Sequence, residues 1–172
     1  MNIIIFGLPG SGKTFFATQL AIKINALHIS SDAVRKESKQ IGKYDQKTKF
    51  SIYDAMLELM GTAIKSETNT VLDATFYKEE IRERFKEKCQ ELHSPIYFIE
   101  IRANEALIKE RVSKTRPQSE ADFEAYLKVK NEFEQLADDH LVLQSDQESI
   151  NEMLESALTY IKYTRDGAAR NR

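Results

Sequence analysis

Residues 2–14 read NIIIFGLPGSGKT, an apolar run followed at once by a glycine-rich turn and a Lys-Thr pair. The apolar run predicts a buried strand, and Gly7-x-x-x-x-Gly12-Lys13-Thr14 fits the phosphate-binding loop pattern G-x-x-x-x-G-K-[ST]. Glycine lets phosphate oxygens reach backbone N–H groups because it has no Cβ, and it also allows positive φ. These N–H groups form an anion nest at a helix N-terminus, where the helix dipole favours negative charge. The stretch therefore predicts a nucleotide site.

Two side chains of this loop have distinct predicted tasks. Lys13 supplies a cation for the β- and γ-phosphates, and the hydroxyl of Thr14 is a ligand for Mg²⁺. The other loop positions expected to contact the nucleotide are Gly7, Pro9, Gly10, Ser11 and Gly12. The sequence has no N-K-x-D segment for reading guanine, which disfavours a GTPase.

The composition predicts one compact domain. The chain has 172 residues, 41% of them hydrophobic and 30% charged, with a net charge of −2. Its pI of about 6.0 gives no overall basic surface for duplex nucleic acid. No apolar run approaches the ~18 residues of a membrane span, and the single cysteine fits a reducing compartment. We therefore expect a cytoplasmic protein with a domain over residues 1–164 and a disordered tail over residues 165–172.

Strand-like and helical segments alternate along the chain. The strands are expected at residues 2–6, 27–30, 70–74, 95–101 and 140–144. Helices are expected near residues 13–25, 32–40, 52–64, 78–92, 104–114, 119–137 and 150–161, with a lid around residues 112–120. This alternation predicts an α/β fold with a doubly wound parallel sheet, in which ligands bind at the carboxyl ends of the strands.

Two aspartates follow predicted strands at this edge. Asp73 ends the third strand and has the form of the carboxylate that holds Mg²⁺ or its water ligands, although a plain turn residue would look the same. Asp32 follows the second strand and could accept the proton of a phosphate acceptor, act as a helix N-cap, or do both.

A basic stretch follows Asp32. Arg35 lies three residues further on, so the two side chains share one side of a helix, and its guanidinium could grip an acceptor bidentately. Residues 35–50 hold six basic and two acidic side chains, a net charge of +4. This stretch is either a funnel for an anionic acceptor or a solvated loop.

Two arginines flank the break in the predicted lid. Arg111 and Arg116 could close over the nucleotide and neutralise charge in the transition state, or could be ordinary surface arginines of a helix.

Five segments together resemble one group of kinases. GLPGSGKT, SSDAVRK, VLDATF, LIKERVSKTR and SEADFEAYLKVKNEFE, in that order, are similar to the small P-loop kinases of the polynucleotide-kinase/zeta-toxin-like group. The resemblance covers about residues 2–137. It implies a P-loop NTPase fold of three layers, α/β/α, with a five-stranded sheet of order 2-3-1-4-5.

The resemblance also assigns roles to the site residues. It implies ATP and Mg²⁺ at residues 10–14, Asp32 on the acceptor hydroxyl and Arg35 on the acceptor. Arg116 would be the lid arginine on the phosphates, and Arg111 would lie against the adenine. Relatives commonly space these two arginines by four residues, whereas here Thr115 takes the expected place.

These observations favour a kinase that phosphorylates a hydroxyl acceptor. The acceptor is either a small molecule, anionic or neutral, or a 5′-hydroxyl nucleic-acid end, which the acidic pI disfavours. Two alternatives remain at this point. The chain could be a regulatory ATPase without an acceptor, or a nucleotide-binding module that acts on a macromolecule.

Overall fold

Five parallel strands form a single sheet in the computed structural model, which describes residues 1–39, 46–115 and 119–170. The sheet order is β2-β3-β1-β4-β5, which confirms the order that the resemblance implied. The strands are β1 (Asn2–Phe6), β2 (Leu27–Ser30), β3 (Thr70–Asp73), β4 (Ile96–Arg102) and β5 (Leu141–Gln144).

Helices cover both faces of this sheet. They are α1 (Lys13–Lys23), α2 (Ser31–Glu37), α3 (Gln46–Lys65), α4 (Glu79–Glu91), α5 (Glu105–Thr115), α6 (Ser119–Glu132) and α7 (Ile150–Arg170). None of these described helices is long and apolar enough to cross a membrane.

The strand β1 lies at the centre of two hydrophobic cores. Ile3 and Ile5 pack with α1 and α7 on one face, whereas Ile4 and Phe6 pack with α3 and α4 on the other. A strand that is buried on both faces has a continuous apolar run instead of an alternating one. This is why the run before Gly7 could be predicted to be a buried strand.

The strand register brings the predicted site to one edge. Ser30, the last residue of β2, pairs with Asp73 at the end of β3, and Asp73 pairs with Ile5 of β1. The phosphate loop after β1 and the start of α2 after β2 therefore lie beside Asp73.

Several element boundaries differ from the sequence-based expectation. The helix α3 already begins at Gln46, in a polar segment whose side chains give no apolar stripe. The helix α6 ends at Glu132, where Phe133 turns to stack on Phe6. The helix α2 begins at Ser31, one residue before the expected start. Helix α7 continues through Arg170, into the segment predicted as a tail.

Candidate active site

Three glycines give the phosphate loop its shape. Gly7, Gly10 and Gly12 have φ values of 138°, 78° and 98°, which side chains other than glycine rarely adopt. Gly12 is the left-handed residue directly before α1, so the loop turns into the helix N-terminus at Lys13. This geometry fits a chain of backbone N–H groups around an anion.

Gly7 is also required by its surroundings. A Cβ at this position would lie 2.3 Å from the carbonyl oxygen of Ile101, on the neighbouring strand β4. We expect Gly7→Ala to destabilise the protein by about 2–5 kcal/mol, because the new atom adds a clash to an unfavourable φ. Differential scanning calorimetry should show a Tm lower by about 5–15 °C.

The matched control for that variant is Gly61→Ala in α3. There the nearest atoms to a Cβ are the mobile end of Lys88, at 3.4 Å, and Leu92. We expect Gly61→Ala to leave the Tm unchanged or to raise it slightly, because alanine favours a helix by about 1 kcal/mol over glycine. Equal Tm values for Gly7→Ala and the unmodified protein would contradict the close approach.

Lys13 is buried within the loop. Its Nζ donates a hydrogen bond to the carbonyl oxygen of Leu8 at 3.0 Å. Burial lowers the pKa of Lys13, and the charges of Asp73 and Asp32 oppose this shift. Both predicted aspartates are therefore brought into electrostatic range of the predicted phosphate-binding cation.

The two predicted Mg²⁺ ligands differ in exposure. Asp73 is buried at the end of β3, with His28 Nε2 at 3.8 Å from its Oδ2, and Thr14 is exposed in the first turn of α1. In the described part of the chain, no cluster of three or more His, Cys, Asp or Glu side chains could hold a metal. One hydroxyl and one carboxylate fit Mg²⁺, which keeps several water ligands and takes phosphate oxygens instead of an all-protein cage.

Asp32 and Arg35 both lie on the short helix α2. Asp32 is exposed in the first turn, and the N-cap residue is Ser30, without a capping hydrogen bond from its side chain. The expected N-cap role of Asp32 is therefore wrong, because the helix already begins at Ser31. Arg35 is half-buried.

A tyrosine of α3 that the sequence did not single out is hydrogen-bonded to the loop after β3. The Tyr53 hydroxyl lies 3.1 Å from Thr75 Oγ1 and accepts a hydrogen bond from the Phe76 backbone N–H at 3.0 Å. Burial raises the pKa of Tyr53 to about 12, although the bond to Thr75 and the nearby charge of Arg35 oppose the rise. Tyr53 thus fixes the loop after Asp73 next to Arg35.

Arg111 reaches the phosphate loop from α5. Its Nη1 donates to the Gly10 carbonyl at 3.3 Å and to Ser145 Oγ at 3.2 Å. Ser145, another residue that the sequence analysis missed, donates in turn to the Ser11 carbonyl at 2.6 Å. The loop is therefore held from outside by α5 and by Ser145, directly after β5. Arg116, the predicted lid arginine, lies outside the described residues, as do residues 40–45 of the basic stretch 35–50.

The segment after α6 is fixed to the loop after β3. Glu134 accepts hydrogen bonds from the Lys78 ammonium at 2.8 Å and from the Glu79 backbone N–H at 2.7 Å, and these bonds lower its pKa. The Glu134 backbone N–H donates to the Tyr77 carbonyl at 2.8 Å.

A buried arginine makes a second connection between the same two segments. Arg82 Nη1 donates to the Phe76 carbonyl at 2.8 Å, and Nη2 donates to the Gln135 carbonyl at 3.3 Å. The segment after α6 is therefore held close to the segment that follows Asp73.

Comparisons with known structures give the same fold. APS kinase CysC of Mycobacterium tuberculosis, in complex with AMPPNP and APS, aligns with a TM-score of 0.74 at 14% identity over 94% of this chain and 96% of that chain. A gluconokinase from Sinorhizobium meliloti 1021 aligns with a TM-score of 0.69 at 18% identity, over 99% of this chain and 96% of that chain. A sugar kinase from Janibacter sp. HTCC2649 gives 0.71 at 20% identity, over 94% of each chain.

Sequence comparison gives the family. No curated protein matches the chain significantly. A family model described as AAA domain matches residues 3–138, from β1 to beyond the end of α6. Because this match spans most of the chain, including the phosphate loop and both aspartates, the chain belongs to the AAA domain family and has a kinase-like P-loop NTPase fold.

Proposed function

We propose that the chain is an ATP-dependent phosphotransferase of the polynucleotide-kinase/zeta-toxin-like group, which moves the γ-phosphoryl group of ATP to a hydroxyl acceptor. The observation that carries this proposal is the pair of carboxylates that act on Lys13. One of them, Asp73, is buried at a strand end, as a metal-side carboxylate should be. The other, Asp32, is exposed and does not cap its helix, so it is available to an acceptor.

The proposed reaction assigns one task to each side chain. The acceptor oxygen attacks the γ-phosphorus, the bond from that phosphorus to the bridging β–γ oxygen breaks, and ADP leaves. Asp32 takes the acceptor proton, while Lys13 and the backbone N–H groups of the loop stabilise charge on the phosphoryl oxygens. Bound between Thr14 and Asp73, Mg²⁺ would neutralise phosphate charge.

The structural neighbours support ATP as the phosphoryl donor. All three are kinases by name, and one of them holds AMPPNP, an analogue of ATP. The contacts of Arg111 with the phosphate loop support a role at the nucleotide, and we propose that it moves onto the adenine when ATP binds. We further propose Arg116 as the lid arginine that approaches the phosphates.

The test is ADP production from ATP and Mg²⁺ across a panel of acceptors. The panel contains nucleosides, 5′-hydroxyl oligonucleotides, neutral sugars, sugar acids and aminoglycosides. We expect one class to stimulate turnover and to yield a phosphorylated product by mass spectrometry. Slow hydrolysis that no acceptor stimulates would contradict the proposal and favour a regulatory ATPase.

Arg35 offers a test of how the acceptor is held. We expect Arg35→Ala to raise the apparent KM for the acceptor by about 10-fold to 100-fold, because a hydrogen bond from a charged donor contributes about 1.5–3 kcal/mol. The KM for ATP should change much less. Steady-state kinetics with each substrate varied in turn measures both constants.

The matched control for Arg35 is Lys36→Ala, an exposed cation next to it in α2. We expect this variant to retain both KM values. Equal increases in the two KM values for Arg35→Ala would contradict the assignment of Arg35 to the acceptor.

A further inference from the structure

A cavity of about 400 Å³ lies between the lid helices α5 and α6 and the carboxyl end of β4. It opens beside the phosphate loop, since Leu8 and Ser11 form part of its wall. Its volume falls in the range of pockets that bind small molecules. The residues of β4 and α6 that line the cavity are not among the predicted nucleotide contacts.

The charges on its wall are arranged in opposite pairs. Arg102 Nη2 lies 2.7 Å from Glu100 Oε2, and Lys130 forms an ion pair with Glu105. Each of these lining cations therefore faces a carboxylate within the wall itself. A ligand with a net charge would have to compete with these pairs, so the described wall favours an uncharged ligand.

The wall also offers aromatic surface next to hydrogen-bonding groups. Tyr126 and Phe133 line the cavity, and Phe133 is held flat against Phe6, with the ring centroids 6.3 Å apart and the planes at 5°. Glu100 Oε2 already accepts from Arg102 and lies 3.3 Å from His140 Nε2, so the polar group offered to a ligand is the amide of Gln135, which can both donate and accept hydrogen bonds. Rigid rings beside paired donors and acceptors suit a ring that carries several hydroxyl groups.

The position of the cavity limits the size of this ligand. The strands β4 and β2 are separated by three strand spacings, or about 14 Å, and Asp32 follows β2. A molecule that fills the cavity and also brings a hydroxyl towards Asp32 must therefore contain more than one ring.

We propose that this cavity binds the non-reacting part of the acceptor, and that the acceptor is an uncharged compound of two or more rings with several hydroxyls, a glycoside or a nucleoside. The inference rests on the proposed function, because it identifies the acceptor class of the same site. It replaces the anionic acceptor that the basic stretch 35–50 suggested.

Matched pairs of neutral and anionic compounds test this proposal. The probes are sucrose against sucrose 6-phosphate, and uridine against uridine 3′-monophosphate, with further neutral disaccharides and nucleosides. Binding is measured by isothermal titration calorimetry without nucleotide and again with AMPPNP. We expect a neutral member to bind at least tenfold more tightly than its anionic counterpart.

Ala103→Phe tests whether binding occurs in this cavity. Ala103 lines the cavity, so a phenyl group there should fill it and weaken binding of the neutral probe by at least tenfold. The matched control is Ala106→Phe, at an exposed position of α5 outside the lining, which should leave probe binding unchanged. A cooperative thermal transition and the far-UV circular dichroism spectrum, each measured without nucleotide, show whether each variant is folded. If Ala103→Phe misfolds, Gln135→Leu is the second variant. It removes an exposed amide from the cavity wall and should weaken binding of the neutral probe by about fivefold.

The outcomes separate this proposal from the proposed function. Tighter binding of anionic members, a panel without a neutral binder, or full probe affinity in folded Ala103→Phe would each overturn the cavity proposal. Absence of ATP binding or of any phosphoryl transfer would instead overturn the proposed function. The titrations without nucleotide still report on the cavity in that case.

Discussion

Lys13→Ala is expected to reduce ATP turnover by about a hundredfold to a thousandfold, with any acceptor and with none. Lys13 is the cation of the phosphate loop, and its Nζ is already held within the loop by the Leu8 carbonyl. A preorganised donor stabilises the charge that develops in the transition state. When one such donor is removed, the rate of the chemical step falls by about this factor. The affinity for ATP should fall as well, since the same ammonium binds the phosphates in the ground state. Coupled-enzyme detection of ADP and calorimetric titration with AMPPNP measure the two effects.

The matched control for Lys13 is Lys23→Ala, which removes an exposed lysine from the other end of α1. This variant should bind and consume ATP as the unmodified protein does. Because burial lowers the pKa of Lys13, its removal should not destabilise the fold, and the Tm of Lys13→Ala should be retained or raised. Normal turnover in Lys13→Ala would refute the assignment of the phosphate site.

The sheet and the loop could be predicted because their causes are local. A strand buried on both faces must be apolar throughout, as Ile3 to Phe6 are, and a nest of N–H groups requires glycine at fixed spacing. The order of the strands has no such local cause. It came from the resemblance of five motifs, and the structure confirms it.

The parts of the site that the sequence did not reveal depend on contacts between distant segments. Arg111 and Gly10 are 101 positions apart, and Glu134 and Glu79 are 55 apart. Periodicity and motif spacing describe neighbours along the chain, so they carry no signal for such pairs. Tyr53 was missed for a related reason, since its position in an apolar helix stripe fits a core residue and its hydroxyl contact depends on how α3 packs.

Asp32 shows how the structure changes the weight of a sequence-based interpretation. From the sequence, an aspartate directly after a strand and before a helix is as good an N-cap as it is a catalytic base. Since α2 begins at Ser31, Asp32 lies within the first turn instead of at the cap. Its carboxylate remains exposed on the side of the phosphate loop where its charge acts on Lys13. This is the arrangement that an acceptor base needs before its substrate arrives.

Asp32→Asn is accordingly expected to lower kcat for acceptor phosphorylation by about a hundredfold to ten-thousandfold, the usual contribution of general acid–base catalysis. The asparagine keeps the size of the side chain and removes its capacity to take a proton. ATP affinity should be retained or slightly increased, since a negative charge near the phosphates is lost. Calorimetry with AMPPNP and single-turnover kinetics with labelled ATP separate binding from transfer.

The control for this variant is Glu37→Gln, which removes an exposed carboxylate from the last turn of the same helix and should leave kcat unchanged. If Asp32→Asn keeps its kcat, the acceptor proton leaves by another route. Asp32 would then serve only to position the acceptor, and the phosphoryl transfer would depend on the phosphate loop and the lid alone.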